Sequence, residues 1–446
     1  MKKSLPCFLA VFICFTSLFA GTRLNNNTSS TENFFKELVK NNADVAKYTD
    51  PDELKISSRL GISYEGVKNK FLISYDIDVN IKEKIRQGSY HYELREKQLD
   101  KDYLKVEFFV PGINYSKDFY FRSGKYISPV SYFTRNWKRF STRYFNFIIQ
   151  DTSYFNNYAA DQLEQFCEGM LSLLRINESE KQFLSANKIF YVLCSDSASI
   201  KKITGFNTRG LYLLSDDQIV TTYNCHFHEL SHLLMNFRIK NIPLFTLPFL
   251  QEGFASAAGG RGGIARNVIL NIGEFLQSSA YVPFNSILSY SDFSSEDASV
   301  TYPVAALYST FLMNELGIEQ YIDLYRSYSG NFDFVSNLKP EQIKLPSDDK
   351  FSIFLKRYKN REIIPDNNAL KKTKIFSDSN SEIYDEKDYY LFHMKNYALI
   401  RSDENFPGYK SRVFSELFPD LTYTGYKYLI TAEKERLKYI IFLQAT

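Results

Sequence analysis

Three of the five histidines in this 446-residue chain fall within seven positions, His226-Phe227-His228-Glu229-Leu230-Ser231-His232. His228 and His232 stand four apart, so on a helix their imidazoles project from one face and can grip a single metal ion. Neutral nitrogen donors with no redox demand suit zinc. Glu229, beside the first histidine, then lies near the metal's open position. There it can take a proton from a bound water whose pKa the ion has lowered toward about 7. A catalytic zinc needs a third protein ligand as well. Glu252 is the lone acid in the apolar stretch Leu247-Pro248-Phe249-Leu250-Gln251-Glu252-Gly253-Phe254-Ala255, a costly setting for a carboxylate unless a positive partner meets it. Zinc is one such partner; a salt bridge to Arg261 or Lys240 is the other. Cys225 and His226 adjoin the motif, but their helical angle turns them away from the His228–His232 face. The expected metal set is His228, His232 and Glu252, with Glu229 as general base. A solvated helix with incidental histidines is the plain alternative.

His228-Glu229-x-x-His232 followed about twenty residues later by Glu252-Gly253-Phe254-Ala255 resembles the gluzincin metallopeptidases, and the Glu-Gly-Phe-Ala wording is similar to their aminopeptidase-N-like branch. The resemblance spans roughly residues 140–330 and implies a zincin-like core. In that family two histidines and the later glutamate hold zinc, and the inner glutamate is the base. These roles carry to His228, His232, Glu252 and Glu229. The family also places a strand before the motif helix, whose edge aligns an extended substrate; Leu211 to Val220 stands there. A tyrosine at the start of a later helix stabilises the oxyanion in this branch, which makes Tyr302, in Thr301-Tyr302-Pro303-Val304-Ala305-Ala306, the matching candidate. The chain departs from the pattern in three places. The lysine and glycine usual after that tyrosine are missing, and no glycine-rich exopeptidase motif lies upstream. Ser256 stands where thermolysin-type enzymes have an aspartate, so the outer-shell support differs. Arg261, inside Gly259-Gly260-Arg261-Gly262-Gly263, is available to a substrate carboxylate or to a surface acid.

Elements on both sides must position this constellation. Tyr144 to Ile149 and Lys188 to Cys194 read as strands, the second apolar throughout and so buried on both faces. Between them, Leu163, Phe166, Met170 and Leu174 form the stripe of a helix from Asn157 to Leu174. Gly210 to Thr222 gives further strand around a turn at Ser215-Asp216-Asp217, and Cys225 to Phe237 is helical. Helices from Val304 to Leu316, stopped by Gly317, and from Ile318 to Ser327 complete the unit. Upstream, a helix from Thr31 to Tyr48 precedes alternating runs at Phe71–Tyr75 and Leu104–Phe109 that read as antiparallel strands. That element order resembles the cone-shaped folds of the nuclear-transport-factor-2 type. Downstream, a linker or irregular region lies within the charged segment 339–378 with its three prolines, and short apolar runs after Tyr389 predict a mostly β piece. The fold class is α+β. The expected units are a signal segment (1–20), a small α+β domain (21–139), the metallopeptidase domain (140–330) and a linker with β-rich domain (331–446).

Lys2 and Lys3 precede an apolar run from Leu5 to Phe19 that ends at Leu18-Phe19-Ala20 before Gly21. This is the order of an export signal, and the run is shorter than the roughly 20 residues a membrane span requires. Neither Cys7 nor Cys14 follows the small residues expected of a lipid-attachment site. The chain is therefore expected to be exported, periplasmic or secreted, with no stable span after cleavage. Cys167, Cys194 and Cys225 remain, an odd set in apolar sequence that reads as small core residues rather than a disulfide framework. A net charge of +3 with no basic run excludes nucleic acid as a partner. The expected activity is hydrolysis of peptide or protein substrates by an exported zinc metallopeptidase. Two rivals stand beside it: a catalytically retired binding protein on a peptidase scaffold, and a cell-surface assembly protein with a structural zinc. An intact Glu229 speaks for the enzyme.

Overall fold

The computed structural model describes residues 28–40, 43–155, 157–278, 282 and 284–359, with four short strands farther on. Those strands form two hairpins, Lys374–Ser377 with Glu382–Tyr384 and Leu429–Lys434 with Leu437–Phe442. The proposed export signal, residues 1–20, lies outside the described residues, as does the apolar run Tyr397–Ile400. The architecture is mixed α+β, with helices exceeding strands and several small sheets.

The first helix, Thr28–Lys40, buries Phe34, Phe35, Leu38 and Val39 along one stripe. It ends at Lys40, short of the expected Tyr48, and Ala43–Tyr48 continues as a 3-10 turn. A helix Pro51–Ser58, capped by the Asp50 side chain on the Asp52 amide, leads to strand β1, Ser63–Tyr64. Then follow β2 (Glu93–Gln98), β3 (Tyr103–Val110), β4 (Tyr115–Arg122) and β5 (Lys125–Ile127), an antiparallel sheet in sequence order. Its inward rings Phe108, Phe119, Phe121 and Tyr126 close on Phe34 and Phe35. The strand expected over Phe71–Tyr75 is instead a 3-10 turn at Lys70–Leu72. Phe71 and Leu72 are adjacent yet enter the same core, which a turn permits and strand alternation forbids.

The central sheet holds β6 (Lys138–Ser141), β7 (Phe145–Ile149), β8 (Ile189–Leu193), β9 (Gly210–Leu213) and β10 (Gln218–Thr221), in the order β6-β7-β8-β10-β9. β7, β8 and β10 run parallel, and the two edges run antiparallel to their neighbours. β8 is buried on both faces, as its apolar run implied. Ile189, Tyr191 and Leu193 meet the helix Asn157–Leu173, while Val192 packs with Ile148, Val220, Ile200 and Ile203.

The chain leaves β10 into the motif helix, Phe227–Ile239, and β11, Asn241–Ile242, follows at once. β11 pairs in parallel with β1, and Leu60, Ile62 and Tyr64 share a core with Leu230, Leu233, Leu234 and Phe237. The region before residue 140 thus contributes directly to the ground beneath the motif. Next come the helices Pro248–Gly259, Arg266–Ser278, Ala298–Leu316 and Ile318–Ser327. The third begins six residues before the expected Val304, because Asp297 caps it on the Ser299 amide and Pro303 is carried inside. Pro303 cannot donate a backbone bond, and its carbonyl instead abuts Gly273 of the neighbouring helix. Within the expected linker a helix, Asp348–Lys359, lays Phe351 on Tyr308 and Phe311, with ring centres at 4.9 and 5.2 Å. The helix lies between Pro346 and Pro365, which flank it rather than interrupt it. Among the described residues no helix is long and apolar enough to cross a membrane.

Candidate metal centre

His228 and His232 project from one face of the motif helix, and the next helix brings Glu252 to them. His228 Nε2 lies 3.0 Å from Glu252 Oε2 and 3.2 Å from His232 Nε2, and His232 Nε2 lies 3.4 Å from the same carboxylate oxygen. Four-coordinate tetrahedral binding with bonds of about 2.0–2.1 Å places donor atoms roughly 3.3–3.4 Å apart. The three donors match that spacing and could hold a metal ion.

Hydrogen bonding settles which His228 nitrogen faces the centre. Its Nδ1 is 2.8 Å from the Gly260 carbonyl, which can only accept, so Nδ1 carries a proton and Nε2 is the nitrogen turned to the other two donor atoms. Nε2 thus faces an imidazole nitrogen and a carboxylate oxygen, where a proton or a metal ion would be shared between them. Electrostatics agree. Burial works to raise the Glu252 carboxyl, but His232 and His228 overcome it and hold Glu252 well below the usual carboxylate range. Burial works to lower His232, yet Glu252 and then Glu229 raise it above the ordinary histidine value. Both shifts express the attraction between the Glu252 carboxylate and the two imidazoles.

Glycine sets the approach of the ligand helix. A methyl group on Gly253 would lie 2.6 Å from the Ala305 carbonyl oxygen and would also strike Ser309 Oγ. One on Gly259 would lie 2.6 Å from the His228 amide nitrogen. The helix bearing Glu252 therefore touches both the motif helix and the helix bearing Tyr302, backbone to backbone.

Glu229 does not join the donor set. Its Oε2 accepts a 2.8 Å hydrogen bond from the Tyr212 backbone amide of β9, an edge strand of the central sheet. Tyr302 sits in the second turn of its helix with its ring 6.1 Å from that of His228. Burial raises its hydroxyl, as do the charge of Glu252 and a hydrogen bond to that carboxylate. The alternative partners proposed for Glu252 lie elsewhere. Arg261 stacks over the Tyr302 ring at 4.0 Å, and Lys240 over the Phe237 ring at 3.1 Å. Cys225 donates to the Ala159 carbonyl at 3.3 Å. His226 Nδ1 bonds Thr221 Oγ at 3.0 Å, and burial holds its imidazole down at about 4. Ser256 Oγ is buried without a hydrogen bond, so the Gly260 carbonyl supplies the outer-shell support that an aspartate would give elsewhere.

Sequence reasoning missed the Tyr212 amide and the Gly260 carbonyl, since backbone groups carry no residue signature. It also missed Arg209, whose guanidinium lies 4.7 Å over the Tyr223 ring. No protein-family model, curated protein or solved structure matches the chain.

Proposed function

We propose that this protein is a zinc-dependent metallopeptidase of gluzincin type, exported from the cell, with its zinc held by His228, His232 and Glu252. The observation that carries the reading is the convergence of three donor atoms separated by 3.0–3.4 Å, one of them on an imidazole whose other nitrogen is bonded to the Gly260 carbonyl. Two neutral imidazoles and one carboxylate form a donor set that suits zinc and leaves one position open. When bound, zinc polarises the scissile carbonyl and lowers the pKa of the attacking water.

The chain's own residues supply the rest. Glu229, oriented by the Tyr212 amide, removes a proton from the water as its oxygen bonds to the carbonyl carbon. It then delivers that proton to the amine nitrogen as the C–N bond breaks. Tyr302 turns its hydroxyl from Glu252 to the oxyanion and stabilises it. The β9 edge runs beside the base and aligns an extended peptide.

Elemental analysis of the purified chain tests the centre directly. Near-stoichiometric zinc in the parent, lost in Glu252→Ala and in His232→Ala, is the expected result. Zinc that survives Glu252→Ala would remove the gluzincin assignment. A degenerate peptide library, with Glu229→Gln as the inactive control, then tests hydrolysis. Full zinc with no cleavage at all would transfer the site to a structural role.

A further inference from the structure

Some cations of the central unit are matched by an acid. Arg238 meets Glu319 at 2.9 Å, Arg326 faces Glu65 at 3.7 Å, and Arg143 pairs with Glu168. Arg209 and Arg261 are among those that are not: within the described residues neither has a carboxylate at salt-bridge distance, and each guanidinium is held over a tyrosine ring. Stacking of this kind steadies a guanidinium while leaving N–H groups for a planar acceptor.

Both arginines belong to the wall beside the metal centre. Arg261 follows Gly260, whose carbonyl receives the His228 Nδ1 proton, and precedes Gly262, whose carbonyl accepts from the Tyr223 hydroxyl at 3.2 Å. The turn from Arg261 to Ile264 closes with reciprocal backbone bonds of 2.9 and 2.8 Å. Gly262 and Gly263 stand at φ 56° and 82°, a left-handed pair that side-chain-bearing residues rarely adopt. Arg261 thus lies between Gly260, the partner of His228, and Gly262, the partner of Tyr223, while Arg209, just before β9, has its guanidinium over the Tyr223 ring. The Arg261 guanidinium is 4.0 Å from the Tyr302 ring centre, itself 6.1 Å from that of His228. An extended peptide covers such a span in about three residues, at roughly 3.3–3.6 Å each.

We infer that Arg261, assisted by Arg209, forms a carboxylate-recognition site that selects peptides bearing a carboxylate close to the scissile bond. The inference rests on the metallopeptidase reading of the centre and narrows its substrate class to peptides with an acidic side chain or a free C-terminus nearby. A planar carboxylate accepts two parallel N–H bonds from one guanidinium, which gives geometric selection as well as charge.

Equilibrium binding to the zinc-loaded full chain carrying Glu229→Gln tests this without turnover. The probes are four pools of fluorescein-labelled degenerate octapeptides: with or without Asp and Glu, each with a free or an amidated C-terminus. The carboxylate-bearing pools are expected to bind about tenfold more tightly than the neutral amidated pool. The pool that does so distinguishes side chain from C-terminus. Arg261→Gln, alone and with Arg209→Gln, is expected to reduce the preference below about twofold at unchanged zinc content and melting temperature, with Arg261→Lys retaining part of it. The preference should also shrink as NaCl rises from about 0.05 to 0.5 M, a measurement that needs no variant. Equal binding of all four pools, a preference that salt leaves intact, or one that survives the double substitution would each overturn the inference. Binding of no pool would overturn it too, while zinc content and library cleavage decide the metallopeptidase reading separately.

Discussion

Glu229 Oε2 and the Tyr212 backbone amide stand 2.8 Å apart, so the proposed base is gripped by the strand on which a substrate would lie. A backbone donor cannot swing away, and the bond fixes one carboxylate oxygen while freeing the other for water. Glu229→Gln should lower turnover by at least about 10²-fold with zinc content unchanged. Glu229→Asp, one methylene shorter, should fall in activity as well because it cannot reach both the amide and the water. Steady-state kinetics beside elemental analysis check both variants.

Gly253 is where the ligand helix meets the backbone of Ala305. Gly253→Ala should destabilise the fold by about 1–3 kcal/mol, the usual cost of overpacking, and should lower zinc content by displacing Glu252. Gly169, exposed in the interior of the helix Asn157–Leu173 with nothing near its added methyl, is the contrast. Gly169→Ala should stabilise by about 0.5–1 kcal/mol. Thermal denaturation of the two variants reads the difference in sign.

Asp216, wholly buried within the β9–β10 turn, is pushed up to about 7, first by burial and then by the nearby charge of Glu53. Gln218 and Tyr75 both donate to its Oδ2, and the charge of Arg59 works in the opposite direction. In the unfolded chain such a carboxyl titrates near 4. The folded state therefore holds its proton to higher pH, and stability falls as pH rises from about 4 to about 7, then levels. The loss should be on the order of 4 kcal/mol. Asp216→Asn, which resembles the protonated form, should flatten this slope and exceed the parent in stability at pH about 8. Urea denaturation across that range checks the direction.

Tyr302 separates metal binding from transition-state stabilisation. Tyr302→Phe removes the hydroxyl and keeps the ring beneath Arg261, so zinc content should hold. Turnover should fall by on the order of 10²-fold with little change in KM. A variant that lost zinc in proportion to activity would place Tyr302 as a support for Glu252 alone.

By itself the sequence determined the His228–His232 pair, the candidate third ligand Glu252 and the strands β7 and β8, because spacing along one helix and an unbroken apolar run are local properties. The mixed α+β class followed from the same periodicities. Element limits that depended on distant partners were decided elsewhere. The turn at Lys70–Leu72 exists because two adjacent side chains enter one core, and the helix through Pro303 exists because Asp297 caps it early. Only the tertiary structure brought Glu252 within 3.0 Å of His228, set the Tyr212 amide on Glu229 and placed Gly260 behind the ligand. These contacts arise from close helix packing at Gly253 and Gly259 and from backbone groups that every residue shares. No residue pattern marks them; the packing of whole elements does.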